Sequence, residues 1–301
     1  MEFNFTKYSK VYYIISGVLI VTSIVFLSIY GLKFGIEFVG GSNMEISFQE
    51  ARPLNESINN ALTSFNLGQI TVQPTGEKDA ILRFKGVDEN VHQQILAEIN
   101  KLSPVTEKSF QYIGPSVGQE LRNKTQLAIV IALLAITMYI AFAFRKVSKP
   151  VSSWKYGIAS LIALVHDVLI PLGVFSLLGH LYNVEITIPI IAALLTVLGF
   201  SVHDTIVIFD RIRENILRRG MGQFEETVNL SLTQTLGRSV STVLTVEFVL
   251  ISLYFFGGQT LKDFALALII GITSGAYSSI FIAGPLLVSW YKKGAKKTAK
   301  R

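Results

Sequence analysis

The sequence predicts an α-helical membrane protein with six transmembrane helices and one small exported α+β domain inserted after the first. Three observations predict it. Half of the 301 residues are hydrophobic and only 16% are charged, against about a quarter in an average soluble domain. Six separate stretches are apolar over the ~20 residues that a helix needs to cross a ~30 Å hydrocarbon core. The one long polar stretch lies between the first two of these, and its apolar residues recur first at a spacing of two and then of three to four.

The six spans fall at 11–31, 125–144, 156–179, 187–208, 240–257 and 264–290. The first, from Val11 to Gly31, exceeds the apolar core of a secretory signal and no small-x-small cleavage pattern follows it, so an uncleaved anchor is expected. Orientation follows from the Lys and Arg of the short loops. Lys7 and Lys10 precede the first span, Arg145, Lys146, Lys149 and Lys155 join the second to the third, and Arg211, Arg213, Arg218, Arg219 and Arg238 flank the connection from fourth to fifth. Lys292, Lys293, Lys296, Lys297, Lys300 and Arg301 follow the sixth. These seventeen face only Lys262 in the short loops opposite. Both termini are therefore expected in the cytoplasm of a multi-pass protein of the cytoplasmic (inner) membrane. The expected division is 1–34 for the N-terminus and first helix, 35–122 for the exported domain, 123–291 for helices two to six and 292–301 for a basic cytoplasmic tail.

The net charge of +6 does not argue for nucleic acid. Leu32 to Arg122 holds eight Lys or Arg against eleven Asp or Glu, and the basic excess sits beside the spans as a topology signal. The absence of cysteine excludes disulfides, thiolate metal sites and a cysteine nucleophile, and four histidines leave little scope for zinc. Gly40-Gly41 lacks the spacing and the Lys-Ser/Thr of a phosphate loop. No metal, organic cofactor or covalent catalytic site is expected.

In the exported stretch Met44, Ile46 and Phe48 alternate as a strand does, and Leu54, Ile58, Leu62 and Phe65 recur at helical spacing after Pro53. Gln69 to Thr75 and Ala80 to Lys85 form two more strands across Pro74-Thr75-Gly76. Val91, Ile95, Ile99 and Leu102 stripe a second helix, and Val105 to Ile113 closes the set. The order βαββαβ is the ferredoxin-like split unit.

Charges inside spans are costly, ~2.5 to 3.5 kcal/mol each on insertion scales, so each needs a buried partner or a function. Asp167 lies twelve residues past Lys155, about 18 Å along a helix, and Asp204 seven residues before Arg211, about 10 Å. Each follows a histidine, His166 and His203. Neighbours on a helix project about 100° apart, so the repeated pair is not read as a two-residue site. Arg238 opens the fifth span, with Ser241, Thr242 and Thr245 on the same face. That polar stripe suits either interhelical hydrogen bonding with Arg238 as an edge anchor or a protonation switch between Arg238 and Asp204. Glu247 falls on the opposite face and is either protonated or met by a group from another helix or subunit. In the sixth span Ala267, Gly271, Gly275 and Ser279 recur every four residues, which marks a close-packing face.

The run from Gly199 through Ser201-Val202-His203-Asp204-Thr205 to Asp210-Arg211-Ile212-Arg213-Glu214-Asn215 resembles the fourth-span signature of the SecF family of protein-export membrane proteins. Gly35-Ile36-Glu37-Phe38-Val39-Gly40-Gly41, Val165-His166-Asp167, Ser231-Leu232, Thr235, Arg238-Ser239, Thr242 and Thr245 extend the resemblance over essentially the whole chain. It departs from the family pattern at Glu37, where Asp is usual, at His203, where Asn is common, and at Glu247. The resemblance implies a subunit similar in architecture to half of an RND transporter, working with SecD downstream of the SecYEG channel and SecA. Protons would be the coupling ion, driving movements of exported domains that act on the translocating precursor polypeptide. The family's essential aspartate maps onto Asp204 and its arginine onto Arg238. Asp167 is a further candidate in proton transfer, and Glu247 a possible additional membrane carboxylate. Gly35, Glu37, Gly40 and Gly41 form a motif expected to hinge the domain, which should move as a rigid body. The runner-up is half of a proton-coupled RND exporter of small apolar compounds or lipids, and a third reading is a scaffold without transport.

Overall fold

The structure, a computed structural model, describes residues 4–68, 70–145, 150–220 and 223–298. Lys146, Lys149, Lys300, Arg301 and Gln69, used above, lie outside the described residues. The chain divides into two compact units, one formed by Met1–Lys33, Ala128–Val184 and Pro189–Arg301, the other by Phe34–Leu127 with Glu185–Ile188.

The first unit holds helices long and apolar enough to cross a membrane. They are α1 (Ser9–Tyr30), α5 (Pro115–Ala143, which starts in the other unit), α6 (Ser153–Tyr182), α7 (Ile188–Arg219), α8 (Phe224–Phe256), and α9 (Gln259–Ser278) continued by α10 (Gly284–Thr298). A π turn, Ser279–Ala283, joins the last two within one span. The helices outrun the apolar stretches because hydropathy marks only the part that needs lipid. Arg211 and Arg218 each pair with Glu214 at 2.6 Å one turn apart and carry α7 on past its apolar run. Glu225 and Glu226 sit in the first turn of α8, where the helix dipole favours acidic residues.

Small residues set the packing distances. A Cβ added to Gly157 of α6 would lie 2.9 Å from the Thr137 carbonyl oxygen of α5, and one on Gly275 of α9 would lie 3.0 Å from Ser201 Cβ of α7. Gly271, one turn earlier, abuts Val197, so the small-residue face of the sixth span lies against α7. Around these contacts Tyr156 stacks on Phe144 at 5.4 Å and meets Phe209 edge-on at 5.1 Å.

The second unit opens with the short helix α2 (Ile36–Val39), then runs β1 (Gly41–Phe48), α3 (Asn55–Ala61), β2 (Thr71–Thr75), β3 (Asp79–Phe84), α4 (Glu89–Leu102) and β4 (Val105–Ile113). Its antiparallel sheet has the order β2-β3-β1-β4 of the ferredoxin-like fold. Met44 faces Leu82 and Phe110 in the sheet, and the alternation buries Met44, Ile46 and Phe48 against Ile58, Leu62, Ile95 and Ile99. Asp88 caps α4 by accepting from Val91 N at 2.9 Å. Leu54 is the exception to its stripe. It precedes the first turn of α3 and stays 76% exposed.

Two features depart from the expected division at 35–122. Pro115, pre-set for the first helical position, starts α5 before residue 123, so the polar residues 115–124 are helical. Glu185–Ile188, between α6 and α7, belongs to the second unit: Gly35 N donates to Ile186 O at 2.9 Å, and Glu185 pairs with Arg83 of β3 at 3.3 Å. Four residues between two apolar runs carry no periodicity, so this attachment is invisible to hydropathy.

The glycine motif is tightly packed. Gly40 and Gly41 have φ of +79° and +147°, a Cβ on Gly40 would sit 2.7 Å from Pro115 Cα, and one on Gly118 would sit 2.9 Å from Gly40 N. The chain passes here because neither glycine has a side chain. Glu37 folds back so that its carboxylate abuts the space where a Gly35 side chain would be.

Candidate functional site

Among the described residues, three acidic side chains are buried in the membrane unit, and their surroundings differ. Asp167 of α6, fully buried, is saturated. Its Oδ2 accepts from Ser201 of α7 at 2.6 Å and from Ser278 of α9 at 2.8 Å, while Oδ1 accepts from Ser274 of α9 at 3.2 Å. His166 Nδ1 lies 2.9 Å from the same Oδ1. The two neighbours therefore do meet, contrary to the sequence reading. Their Cβ atoms diverge by about 100°, but an imidazole is long enough to swing its near nitrogen back across that angle.

Ser201, Ser274 and Ser278 went unrecognised in the sequence. Serine is common in membrane helices as a bland back-bonding residue, and only the fold brings these three to one carboxylate. The available signal was the spacing of four between Ser274 and Ser278. The π turn begins at Ser279, whose hydroxyl lies 2.8 Å from that of Thr205. Local unwinding next to a polar cluster is a recurrent feature of functional helices.

Asp204 of α7 is 4% exposed and contrasts with Asp167: among the described residues its Oδ2 has no hydrogen-bond partner. Its neighbour His203 is exposed on the outer face of the unit. Arg238 makes no direct hydrogen bond to Asp204 among the described residues. It lines a hollow of about 300 Å³ with Asp210, Arg211, Glu214 and Gln234. Arg238, Ser241 and Thr245 are exposed along one face of α8. Thr242 and Thr245 return their hydroxyls to the carbonyls of Arg238 and Ser241, at 2.9 and 2.7 Å. A polar face on a membrane helix that this chain leaves uncovered is suited to another polypeptide or to water, not to lipid.

Glu247 is settled by a helix of the same chain. It is buried on the opposite side of α8, and Thr273 of α9 donates to its Oε1 at 2.9 Å. At the far end of the α7 signature, Asn215 Nδ2 donates to Ser231 Oγ and Gln234 Oε1 of α8, both at 2.9 Å, and Arg211 Nε donates to the same Gln234 oxygen at 2.6 Å. The charged end of the signature thus braces α7 to α8. No cluster of three or more His, Asp or Glu able to hold a metal ion occurs among the described residues.

Comparison with known proteins places this arrangement. The family described as protein-export membrane protein SecD/SecF, C-terminal, matches residues 91–293. The chain belongs to the SecF family. The SecD/SecF GG motif matches residues 25–51 and so takes in Gly35, Glu37, Gly40 and Gly41 of the packed junction. Among similar SecF proteins, the protein translocase subunit SecF of Thermobaculum terrenum is 44% identical over 99% of this chain and 97% of its own. That of Vibrio alginolyticus is 38% identical over 94% of this chain and 88% of its own. The crystal structure of SecDF, a translocon-associated membrane protein from Thermus thermophilus, superposes with a TM-score of 0.85 at 31% identity. It covers 96% of this chain, which spans 39% of that longer one. A second SecDF structure, in a super-membrane-facing form, matches with a TM-score of 0.73 at 32% identity over the whole chain. The SecF fold is therefore a six-helix membrane protein with a ferredoxin-like domain, related to the RND-like SecDF architecture.

Proposed function

We propose that this SecF-family protein couples inward proton flow to the export of precursor proteins through the SecYEG channel, with Asp204 as the group that loads and releases the proton. The observation that carries this reading is the contrast between two buried aspartates. Asp167 has its oxygens filled by fixed hydroxyls and an imidazole, which suits a structural anchor, whereas Asp204 keeps Oδ2 unpartnered in the interior. A carboxyl oxygen with an open position can take up a proton without breaking an existing bond. Arg238, on the neighbouring helix α8, is the cation assigned to Asp204 as its partner in the cycle.

SecD is the expected other half. The exposed stripe of Arg238, Ser241 and Thr245 needs a cover, transport sites of this kind lie between two related halves, and the solved relatives are SecDF chains of more than twice the length. SecA, which feeds the channel, is a further partner. In this reading both termini face the cytoplasm, residues 35–122 stand on the exported side of the inner membrane, and no cofactor takes part. Each proton crossing a 100 mV potential supplies ~2.3 kcal/mol, enough to bias a conformational equilibrium, so several protons accompany each exported chain. Proton flux into vesicles holding this protein with SecD tests the reading. Flux that rises when a precursor is being translocated supports it. Flux indifferent to the precursor but responsive to small apolar compounds supports an exporter instead, and no flux supports a scaffold.

A further inference from the structure

The connection between α6 and α7 is short, and its middle is fastened to the ferredoxin-like unit by non-covalent contacts. Five residues, 183–187, join Tyr182 to Ile188, a reach of at most about 18 Å when fully extended. Asn183 uses up part of that reach by turning at φ +56°, and Lys33 Nζ donates to its Oδ1 at 2.6 Å. Residues 185–188 nevertheless belong to the second unit. Two of their contacts lie where the chain first enters that unit: Gly35 N donates to Ile186 O, and Phe34 forms a parallel bridge with Ile186. The third reaches into the sheet. Arg83 Nη1 lies 3.3 Å from Glu185 Oε2, and the two side chains are only 17% and 14% exposed. Arg83 sits on β3, an inner strand, in register with Asn43 of β1 and Thr71 of β2, so its backbone is fixed on both sides.

We propose that the Arg83–Glu185 pair is a clasp that passes movement of the ferredoxin-like unit to α6 and α7, which makes both residues positioning residues for proton-coupled export; this rests on the function proposed above. The connection has little slack. A displacement of the sheet therefore either opens the clasp or shifts the adjoining ends of both helices. Asp167 lies fifteen residues before Tyr182 and Asp204 sixteen after Ile188, about 22 and 24 Å along the helices. Packed helices move as units, and shifts of an ångström or two at their ends repack the contacts further along. The chain also enters the unit from α1 and leaves it through α5, but among the described residues neither helix carries a buried acidic side chain. The clasp thus holds the one connection that leads to both buried aspartates.

The burial of the pair matters. A fully exposed ion pair is screened and contributes little, whereas removing one partner of a mostly buried pair strands the charge of the other.

The test uses the full chain in vesicles with SecD, SecYEG and SecA, and reads proton flux and gradient-stimulated export side by side. Glu185→Gln and Arg83→Met should each speed hydrogen exchange at the Gly35 amide about tenfold, the factor for one bond to a charged group, while Met44 and Leu82 in the sheet stay protected. Both should cut gradient-stimulated export by a similar factor and leave proton flux nearly unchanged, whereas a merely structural loss lowers flux and export together. Arg83→Lys keeps the charge and should restore most of the export. If Arg83→Met unfolds the sheet, Glu185→Gln, which lies outside it, decides. Flux and export falling in proportion, export or Gly35 exchange unmoved in Glu185→Gln, or no recovery in Arg83→Lys each overturn the clasp and leave the proposed function standing. A gradient that fails to stimulate export by the unmodified protein overturns the proposed function, and the clasp falls with it.

Discussion

Ser201 on the fourth span donates a 2.6 Å hydrogen bond to Asp167 on the third, tying two membrane helices through the more fully satisfied of the two buried aspartates. Ser278 reaches the same oxygen from the sixth span, so one carboxylate gathers three helices. The proposed roles divide accordingly, with Asp167 holding the helices together and Asp204 carrying the proton.

Removing a hydroxyl from the Asp167 cluster should therefore cost stability before it costs coupling. Ser201→Ala and Ser278→Ala should each destabilise the protein by about 1–3 kcal/mol, the cost of withdrawing a partner from a buried charged acceptor. Thermal unfolding in detergent measures this, and proton-stimulated export by the folded fraction should persist. A variant that unfolds normally yet loses proton stimulation would move the working role to Asp167.

Arg238 should tune Asp204 without touching it. Lys at position 238 keeps the charge but loses the planar fork, so partial coupling is expected, and Arg238→Met should be far worse. The infrared carboxyl band of Asp204 followed against pH should move in the Met variant. An unmoved band would separate the two residues.

Glu247 should depend on Thr273. Thr273→Val keeps the shape and removes the donor, leaving a buried acidic group without its hydrogen bond, at a cost of about 1–3 kcal/mol. Glu247→Gln keeps an acceptor and should unfold close to the unmodified protein. Equal losses from both would show that the bond is not what fixes Glu247.

In the ferredoxin-like unit, Lys108 donates to Asp79 at 2.6 Å and, with Ser47, holds its carboxyl below the usual carboxylate range. The sign follows from linkage: the contribution is present above the unfolded value and is lost as pH falls through the lower, folded one. The pair is exposed to solvent, so the contribution should be under about 1 kcal/mol and should shrink with salt. Hydrogen exchange of β3 and β4 from neutral to acid pH should lose this increment in Lys108→Met. An unchanged acid profile in that variant would remove the pair from the account.

Gly40 should tolerate no side chain. Its φ of +79° and the closeness of Pro115 Cα predict a loss of about 1–3 kcal/mol for Gly40→Ala, whereas Gly76, at φ +74° in open space, should lose less under the same substitution. Equal losses at both positions would mean that strain alone decides. The expected hinge at this motif thus sits at a close-packed junction. A crosslink meant to arrest domain motion cannot join the domain to residues 185–188, since those residues already belong to the same unit.

Periodicity carried much of the fold. Alternation through Met44, Ile46 and Phe48 and the stripe through Ile95 and Ile99 placed strands and helix because each element buries one face. Hydropathy placed six spans but missed their polar ends, since helix continues on ion pairs such as Arg211–Glu214 after the need for lipid has stopped. The site was half legible. An acidic residue in an apolar run announces itself, so Asp167, Asp204 and Glu247 were found. Their partners Ser201, Ser278 and Thr273 lie tens of residues away and are chemically ordinary, so only the packing of α6, α7, α8 and α9 identifies them. The swing of His166 onto Asp167 depends on a rotamer, which no spacing rule encodes.

The central claim rests on Asp204, and its most direct test is proton-driven export in vesicles holding this protein with SecD, SecYEG and SecA. Asp204→Asn removes the titratable group at nearly constant volume. It should insert and assemble normally and should support export driven by SecA alone, while stimulation by a proton gradient falls to nothing. Proton stimulation at the unmodified rate in the Asn variant, at equal protein levels and with the gradient intact, would contradict the account.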